Sequence, residues 1–186
     1  MISWIQKGVY RVLAGSHNKF LVEQDFVNPT TGDIVSQALF YGGKPSVIVF
    51  GLTSKKEVVA IRQFRFGSVE IQLELPGGNI EDGESVLEAA ARELGEETGF
   101  ECEKTVSLLP ESKKMWLDPS SFRAFNYPVM AINCSKKKAP KLDQGEKIES
   151  LLIPLSKWEE LVGSGEIDSS IMIATTHLAL NCLRKK

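Results

Sequence analysis

The stretch from residue 77 to residue 100, GGNIEDGESVLEAAARELGEETGF, constrains the fold more than any other part of the sequence. Acidic residues are spread along it, whereas it contains a single arginine. Ser85 and Glu88 have the spacing of a capping box, and Gly99 suits the left-handed residue that ends a helix. The stretch therefore predicts a helix over residues 86–98.

This helix would place acids beside its apolar face. An apolar stripe that includes Leu94 must face the protein, and Glu93, Glu96 and Glu97 border that stripe. Like charges at these spacings cost about 0.2–0.5 kcal/mol per pair. A solvated surface with Arg92 as ion-pair partner would explain the charge. Oxygen ligands for Mg²⁺ or Mn²⁺ would also explain the arrangement, and the residues alone leave both interpretations open.

The overall composition excludes several classes of function. The chain has 186 residues, of which 42% are hydrophobic, which is enough for one compact domain with a small annex. A net charge of -2 gives no basic field for a nucleic-acid partner. Because neither a signal-peptide pattern nor an apolar run of membrane-spanning length is found, we expect a cytoplasmic protein without a membrane partner.

Strand and helix patterns flank the acidic stretch. β-rich runs parted by turn residues indicate an antiparallel meander over residues 8–41. A helix capped by Ser156 and ended by Gly163 is predicted near the C-terminus, followed by an amphipathic helix over residues 167–183. Four further runs have the composition of strands: SVIVFGLT, EVVAIRQFRF, FRAFNYPVMAINC and KIESLLIPL.

The acidic stretch resembles the Nudix box. The box consists of Gly, five residues, Glu, seven residues, Arg-Glu, an aliphatic residue, any residue, Glu-Glu, any residue, Gly and a hydrophobic residue. Every fixed position matches: Gly78, Glu84, Arg92, Glu93, Leu94, Glu96, Glu97, Gly99 and Phe100. The resemblance implies an α/β Nudix fold, an α/β/α sandwich with a mixed β-sheet, to which the N-terminal antiparallel β meander is added. It also implies an enzyme that hydrolyses a nucleoside diphosphate linked to another moiety.

The resemblance also implies roles for single residues of the box. Three glutamates would hold catalytic Mg²⁺ or Mn²⁺ ions: Glu93, Glu96 and Glu97. The backbone carbonyl of Gly77 would be a further metal ligand. Arg92 would pin the acids, with Glu84 as its partner across the loop. A plainer role for Glu84 is negative charge near a helix N-terminus.

A second acidic segment, KLDQGEKIESLLIPL, resembles the loop that ADP-ribose pyrophosphatases of this family bring over the metals. Glu146 falls at the position of a metal-binding or general-base glutamate. Some relatives have an acid where this chain has Gln144, whose neutral amide cannot take a proton. Asp143, Glu146 and the helix acids therefore remain candidates for the base.

The segment before the box, RQFRFGSVEIQLELPGG, resembles the ADP-ribose and nucleoside-diphosphate-sugar branch. On that basis Arg65 would bind a phosphate, and Glu74 would position ribose or a water molecule. The alternatives are that Arg65 pairs with a surface acid and that Glu74 caps a turn. These resemblances together imply hydrolysis of ADP-ribose or a related sugar to a nucleoside monophosphate and a sugar phosphate.

Two other functions stay open on the sequence. Many ADP-ribose hydrolases have a Ser-Pro-Gly turn after the box, whereas residues 118–121 here read DPSS and lie later. One open function is therefore hydrolysis of another substrate such as GDP-mannose. The other is a module that senses nucleotide sugars without hydrolysing them.

The N-terminal strands are expected to form a dimerisation annex over residues 1–42, ahead of a hydrolase domain over residues 43–186. In the resembling branch, such strands commonly exchange across a homodimer and complete the partner's nucleotide pocket. Four aromatic residues are candidates for a base contact, a dimer seam or ordinary core packing: Trp4, Phe20, Phe26 and Phe40.

Overall fold

The structure, a computed structural model, describes residues 3–16, 19–142, 145 and 147–185. The chain divides into two compact units. One comprises residues 1–44 and 116–125, and the other comprises residues 45–115 and 126–186. Residues 116–125, which the sequence analysis placed in the larger domain, therefore belong with the N-terminal strands.

The elements follow one another in the order of strands, a helix, strands and two helices. The strands are β1 (Ile5–Ser16), β2 (Lys19–Val27), β3 (Ile34–Gly42), β4 (Ser46–Thr53), β5 (Glu57–Arg65), β6 (Glu70–Glu74), β7 (Phe100–Glu101), β8 (Lys104–Ser107), β9 (Met115–Trp116), β10 (Phe122–Arg123), β11 (Phe125–Lys136) and β12 (Ile148–Pro154). The helices are α1 (Val86–Thr98), α2 (Leu155–Ser164) and α3 (Ser170–Arg184).

The first unit is built on the predicted meander. Among the described residues its strands run in the order β1-β2-β3-β10. β1 and β2 pair antiparallel, as do β2 and β3, whereas β10 adds to β3 in parallel. The rings of Phe40 on β3 and Phe122 on β10 stack with centroids 5.0 Å apart. β1 forms an edge, and all of its residues are exposed.

The second unit contains a mixed sheet in the order β12-β5-β4-β11-β7, with β6 paired to β5 and β8 paired to β11. β4 and β11 are parallel, and β5 pairs antiparallel with β4, β6 and β12. Dense β-branched residues make β4 and β5 suitable for the centre of a sheet that is covered on both faces.

Helices cover both faces of this sheet. On β5, Val59 points into a core shared with Ala90 and Leu94 of α1. Val58, the preceding residue, points into a second core with Trp158 of α2, and α3 packs there as well. Neighbouring strand residues face opposite sides, so one strand supplies both cores. The predicted α/β/α sandwich on a mixed sheet is confirmed.

Helix α1 begins and ends as the sequence predicts. Ser85 and Glu88 form a reciprocal capping box, which satisfies two backbone N–H groups at the start of the helix. Gly99 ends the helix with φ 74°, a left-handed conformation that costs residues with a Cβ about 1–2 kcal/mol. A Cβ at Gly99 would also collide with the backbone carbonyl of Lys138.

The prediction for the next helix was wrong at both ends. α2 begins at Leu155, after Pro154, and Ser156 lies inside it without capping it. The Leu155 N–H is satisfied from outside the helix, by the carbonyl of Lys56 at 2.9 Å. Gly163 also lies inside α2, which continues to the left-handed Gly165. Because α2 begins one residue before Ser156, this serine lies within the first turn and cannot take the capping position.

The last helix begins three residues later than the sequence predicts. Ile167 is buried and its N–H donates to the carbonyl of Leu161 at 3.0 Å, so this residue closes the turn after α2. α3 then starts at Ser170.

Two glycine substitutions should change stability in opposite directions. Gly99→Ala should lower the free energy of unfolding by about 1–2 kcal/mol or more, because the left-handed backbone excludes a Cβ. Gly163→Ala should raise it by about 0.5–1 kcal/mol, because this exposed glycine lies inside a helix with open space around it. Urea denaturation measures both. A loss of stability in Gly163→Ala would contradict the observed end of α2.

Candidate functional site

The segment between β6 and α1 lies along β4 and is held there by the backbone. The N–H of Val49 donates to the carbonyl of Pro76 at 2.8 Å, and the N–H of Val47 donates to the carbonyl of Gly78 at 2.9 Å. A Cβ at Gly77 would collide with the carbonyl of Val47. Glycine is therefore required for this close approach of two backbones.

The backbone N–H of Gly77 faces away from β4, whereas the carbonyls of Pro76 and Gly78 face β4. Its N–H donates to a carboxylate oxygen of Glu97 at 2.8 Å. In an extended segment the N–H and C=O of one residue point to the same side. The role of the Gly77 carbonyl as a metal ligand stays a prediction from the resemblance.

Glu93 reaches the same pair of glycines from one helical turn earlier. A Cβ at Gly78 would lie 2.5 Å from a carboxylate oxygen of Glu93, so an alanine there would displace this side chain. The Glu93 side chain is 13% exposed, and Glu97 is 5% exposed. Burying two anions together is costly unless positive charge compensates them.

Arg92 supplies part of that compensation. Its Nε and Nη2 atoms donate to the two oxygens of Glu84 at 2.8 and 2.9 Å, which is a bidentate ion pair. Its Nη1 atom donates to Glu93 at 2.9 Å and to Glu96 at 3.0 Å. Nη2 also donates to the backbone carbonyl of Asn79 at 2.8 Å. One guanidinium thus fixes the loop, the acid that precedes the helix and two acids of α1.

The ion pair changes the pKa of both partners. Hydrogen bonds from Arg92 lower the pKa of Glu84 below its ordinary value, and the same contacts raise the pKa of Arg92. Glu84 is therefore ionised, and the Arg92 guanidinium contacts the carboxylates of Glu84, Glu93 and Glu96. Within this group of four side chains the carboxylates outnumber the guanidinium, which favours cations.

The residues fit divalent metal ions in their chemistry. Carboxylates and a backbone carbonyl are the hard oxygen ligands that Mg²⁺ and Mn²⁺ prefer. The glycines at positions 77 and 78 leave room for Glu93 and Glu97 to approach the same backbone segment. Within the described ranges, no three His, Cys, Asp or Glu residues form a group arranged to hold an ion by themselves.

The structure also brings together the two predicted residues outside the box. Arg65 on β5 donates from Nε to Glu74 on β6 at 2.8 Å, and a second bond from Nη2 reaches the same oxygen. Glu74 is 6% exposed, whereas the Arg65 side chain is 44% exposed. Arg65 thus pairs with an acid, but Glu74 is buried and is not the surface acid of the alternative interpretation. The buried carboxylate orients an arginine whose outer part remains in contact with solvent.

The predicted acidic loop lies largely outside the described residues. Glu146, Asp143 and Gln144 are among those not described. Just before them, the backbone N–H of Lys141 donates to the carbonyl of Glu96 at 2.7 Å. The chain that leads into the loop is therefore tied to the helix that carries the acids.

The candidate aromatic residues line two cavities of the first unit. Trp4 and Phe26 line a cavity of about 450 Å³, together with Trp116 and Phe122. Phe20 and Phe40 line another of about 500 Å³. No helix in the described part of the chain is long and apolar enough to cross a membrane.

The contribution of Asn79 could not be found from the sequence. It acts through its backbone carbonyl, and a carbonyl is present at every position, so the side chain gives no signal. The partner of Arg65 also could not be found from strand pairing, because Arg65 is the Cα partner of Glu70 and Glu74 lies four residues further along β6.

Loss of the Glu84 charge should weaken folding in a pH-dependent way. Since the folded pKa lies below the ordinary value of 4.5, the stabilisation is fully present above pH 4.5 and is lost as pH falls through the lowered pKa. Glu84→Gln should lower the free energy of unfolding by about 1–3 kcal/mol at neutral pH. Urea denaturation at pH 7 and below pH 4 should show this difference shrinking in acid. Glu81→Gln, which removes a charge from an exposed residue of the same loop, should change little; equal losses in both variants would contradict the ion-pair argument.

The sequence was compared with known protein families and with known proteins. Residues 43–168 match the sequence profile described as the NUDIX domain. The chain is 30% identical over 137 residues to the methanol dehydrogenase activator of Bacillus methanolicus, covering 73% of this chain and 72% of that protein. It is 26% identical over 136 residues to the ADP-ribose pyrophosphatase of Bacillus subtilis (strain 168), with the same coverage of each.

A solved structure has the same fold. A crystal structure titled as an ADP compounds hydrolase superposes with a TM-score of 0.82 and covers 98% of this chain and 95% of its own, at 22% identity. The profile spans more than half of the chain and includes the glycine pair, Arg92 and the helix acids. Nudix hydrolases generally use divalent metal ions, in agreement with the oxygen ligands of this site. The chain therefore belongs to the family of NUDIX-domain hydrolases.

Proposed function

We propose that this protein hydrolyses the diphosphate bridge of ADP-ribose or a related nucleoside-diphosphate sugar in a Mg²⁺-dependent reaction. The products would be a nucleoside monophosphate and a sugar phosphate. One observation carries the proposal: Glu93 and Glu97 converge on the glycine pair while Arg92 holds the neighbouring acids. The likeness to a protein named ADP-ribose pyrophosphatase supports the choice of substrate.

The α1 acids and the Gly77 carbonyl would hold the metal ions. Divalent ions bound there would neutralise diphosphate oxygens and lower the pKa of an attacking water molecule. Arg92 keeps Glu93 and Glu96 in position without occupying all of their oxygens, because each carboxylate has two. Glu97 is oriented by the Gly77 N–H. Mn²⁺ has similar ligand preferences and should substitute for Mg²⁺.

Arg65 would bind the diphosphate itself. A guanidinium suits phosphate because its planar fork donates hydrogen bonds to two oxygens. Glu74 accepts hydrogen bonds from Nε and Nη2, so the fork is held in a fixed orientation. Prior orientation reduces the conformational entropy that is lost when the substrate binds.

Proton removal from the attacking water needs a carboxylate. Glu146 is our candidate from the sequence, with Asp143 and the helix acids as alternatives. Gln144 cannot take a proton because its side chain is a neutral amide. Substituting each acid in turn and following the pH dependence of kcat would identify the base.

A substrate panel tests the proposed activity. Purified protein should hydrolyse at least one of ADP-ribose, GDP-mannose and UDP-glucose when Mg²⁺ or Mn²⁺ is present. EDTA should abolish this hydrolysis. NADH, diadenosine polyphosphates and capped RNA serve as competing substrate classes. If the protein hydrolysed none of these compounds, the proposal would be contradicted and a sensing module would be favoured.

Loss of one carboxylate should abolish turnover without unfolding the protein. Glu97→Gln should reduce kcat by about 100-fold or more, because it removes a proposed metal ligand but keeps the shape of the side chain. Glu159→Gln on the exposed surface of α2 is the matched control and should keep wild-type activity. Circular dichroism should show the same fold in both variants. Activity near the wild-type level in Glu97→Gln would contradict the metal assignment.

The protein is also proposed to form a homodimer through β1. This edge strand exposes a row of large apolar residues, among them Ile5, Val9 and Val12. An apolar edge strand readily pairs with another chain, and monomeric proteins generally protect such edges. A second copy of the chain would cover this surface.

Charge on the edge strand should separate the subunits. Light scattering on a sizing column should give the wild type twice the mass of one chain, and Val9→Lys the mass of a single chain, because a lysine opposes strand pairing. Ile173→Lys on α3 is the control for a charge placed at an exposed apolar residue and should remain a dimer. A monomeric wild type, or an unchanged mass for Val9→Lys, would contradict the proposal.

A further inference from the structure

One buried polar atom of the second unit has no hydrogen-bond partner among the described residues, and it lies near the place where substrate is proposed to bind. The side-chain oxygen of Gln63, Oε1, is buried and accepts no hydrogen bond from the part of the chain that the structure describes. Buried acceptors without donors are rare in native proteins because each one forfeits its hydration. Such an atom is therefore a candidate for a contact that only a ligand completes.

Gln63 lies on the face of the sheet that carries the site. On β5, Val59 points into the core formed with α1. Side chains two apart along a strand share a face, so Gln63 and Arg65 are on that face as well. Glu74 is on the same face, because it pairs with Ile61, which is two residues before Gln63.

The neighbouring strand extends this surface. Ile148 of β12 is the Cα partner of Gln63. Glu146, the candidate base, stands two positions before Ile148 in the sequence. Gln63 thus lies on the strand that carries Arg65, opposite the start of the strand that follows the acidic loop.

The chemistry of the atom restricts what it can bind. An amide oxygen accepts hydrogen bonds, and ionised phosphate oxygens also only accept them. The diphosphate itself therefore cannot satisfy Gln63 Oε1, whereas a sugar hydroxyl can donate to it. We propose that Gln63 accepts a hydrogen bond from a sugar hydroxyl of the substrate, on either the nucleoside ribose or the terminal sugar. This inference rests on the proposed diphosphate hydrolysis and adds the residue that recognises the sugar.

Gln72 provides a matched control one strand away. It is the Cα partner of Gln63 on β6 and lies on the same face. Its amide nitrogen already contacts Ser68 and Glu70, each at 3.3 Å. The variants Gln63→Met and Gln72→Met remove the same amide while keeping an unbranched side chain of similar length.

Three substrates separate the possible contacts. They are ADP-ribose, an ADP alkyl ester that lacks the terminal ribose, and the alkyl ester of 2′,3′-dideoxy-ADP, which has no sugar hydroxyl. Gln63→Met should lower kcat/KM about tenfold or more for a substrate that has the recognised hydroxyl, and less than about twofold for the dideoxy ester. If Gln63→Met lowers kcat/KM for ADP-ribose but not for the ADP alkyl ester, the recognised hydroxyl is on the terminal ribose. If it lowers kcat/KM for both, the recognised hydroxyl is on the nucleoside ribose. Gln72→Met should keep wild-type kcat/KM for all three.

The Tm of the Gln63→Met variant separates substrate recognition from a structural role. Replacing an unsatisfied buried amide by an apolar side chain should leave the Tm of Gln63→Met unchanged or higher. Equal losses of kcat/KM on all three substrates, no loss on any of them, or a lowered Tm would overturn the inference. If the wild type, with a normal Tm, hydrolysed none of the three and neither GDP-mannose nor UDP-glucose, the proposed diphosphate hydrolysis would fail, and the role of Gln63 with it.

Discussion

The site depends on the contacts of one guanidinium with three carboxylates. Arg92 binds Glu84 through two nitrogens and bonds Glu93 and Glu96 through the third. Without it, the hydrogen bonds that hold Glu93 and Glu96 beside the glycine loop would be lost. Its single charge faces three carboxylates, and a surplus of carboxylates favours the binding of cations.

The sheet determines which residues can join this centre. β4 holds the glycine pair by backbone hydrogen bonds, so Glu97 meets a fixed N–H. β5 supplies its core face to α1 and then, toward its end, carries Gln63 and Arg65 on the same face. The residues proposed for substrate recognition thus share one face of the sheet with the core against which α1 packs. The N-terminal strands form a unit of their own, with an apolar edge that suits a second subunit.

The sequence predicted the parts of the structure that depend on local chemistry. The bounds of α1 follow from the capping box and Gly99, and the match to the Nudix box points to the family. The errors at α2 have a different origin: the Leu155 N–H binds a carbonyl distant in sequence, and the helix begins at Leu155, so Ser156 lies inside it. The Arg92 contact with a backbone carbonyl and the pairing of β10 with β3 also depend on the folded chain. Long-range contacts of this kind leave no periodic signal in one sequence.

The most direct test of the central claim is metal binding itself. Electron paramagnetic resonance of Mn²⁺, titrated with protein and a non-hydrolysable ADP-ribose analogue, reports the free ion. The account predicts at least one bound Mn²⁺ per chain in the wild type, and an affinity about 10-fold or more weaker when Glu93 and Glu97 are both replaced by Gln. Equal Mn²⁺ affinity in the two proteins, or no bound ion in the wild type, would contradict it.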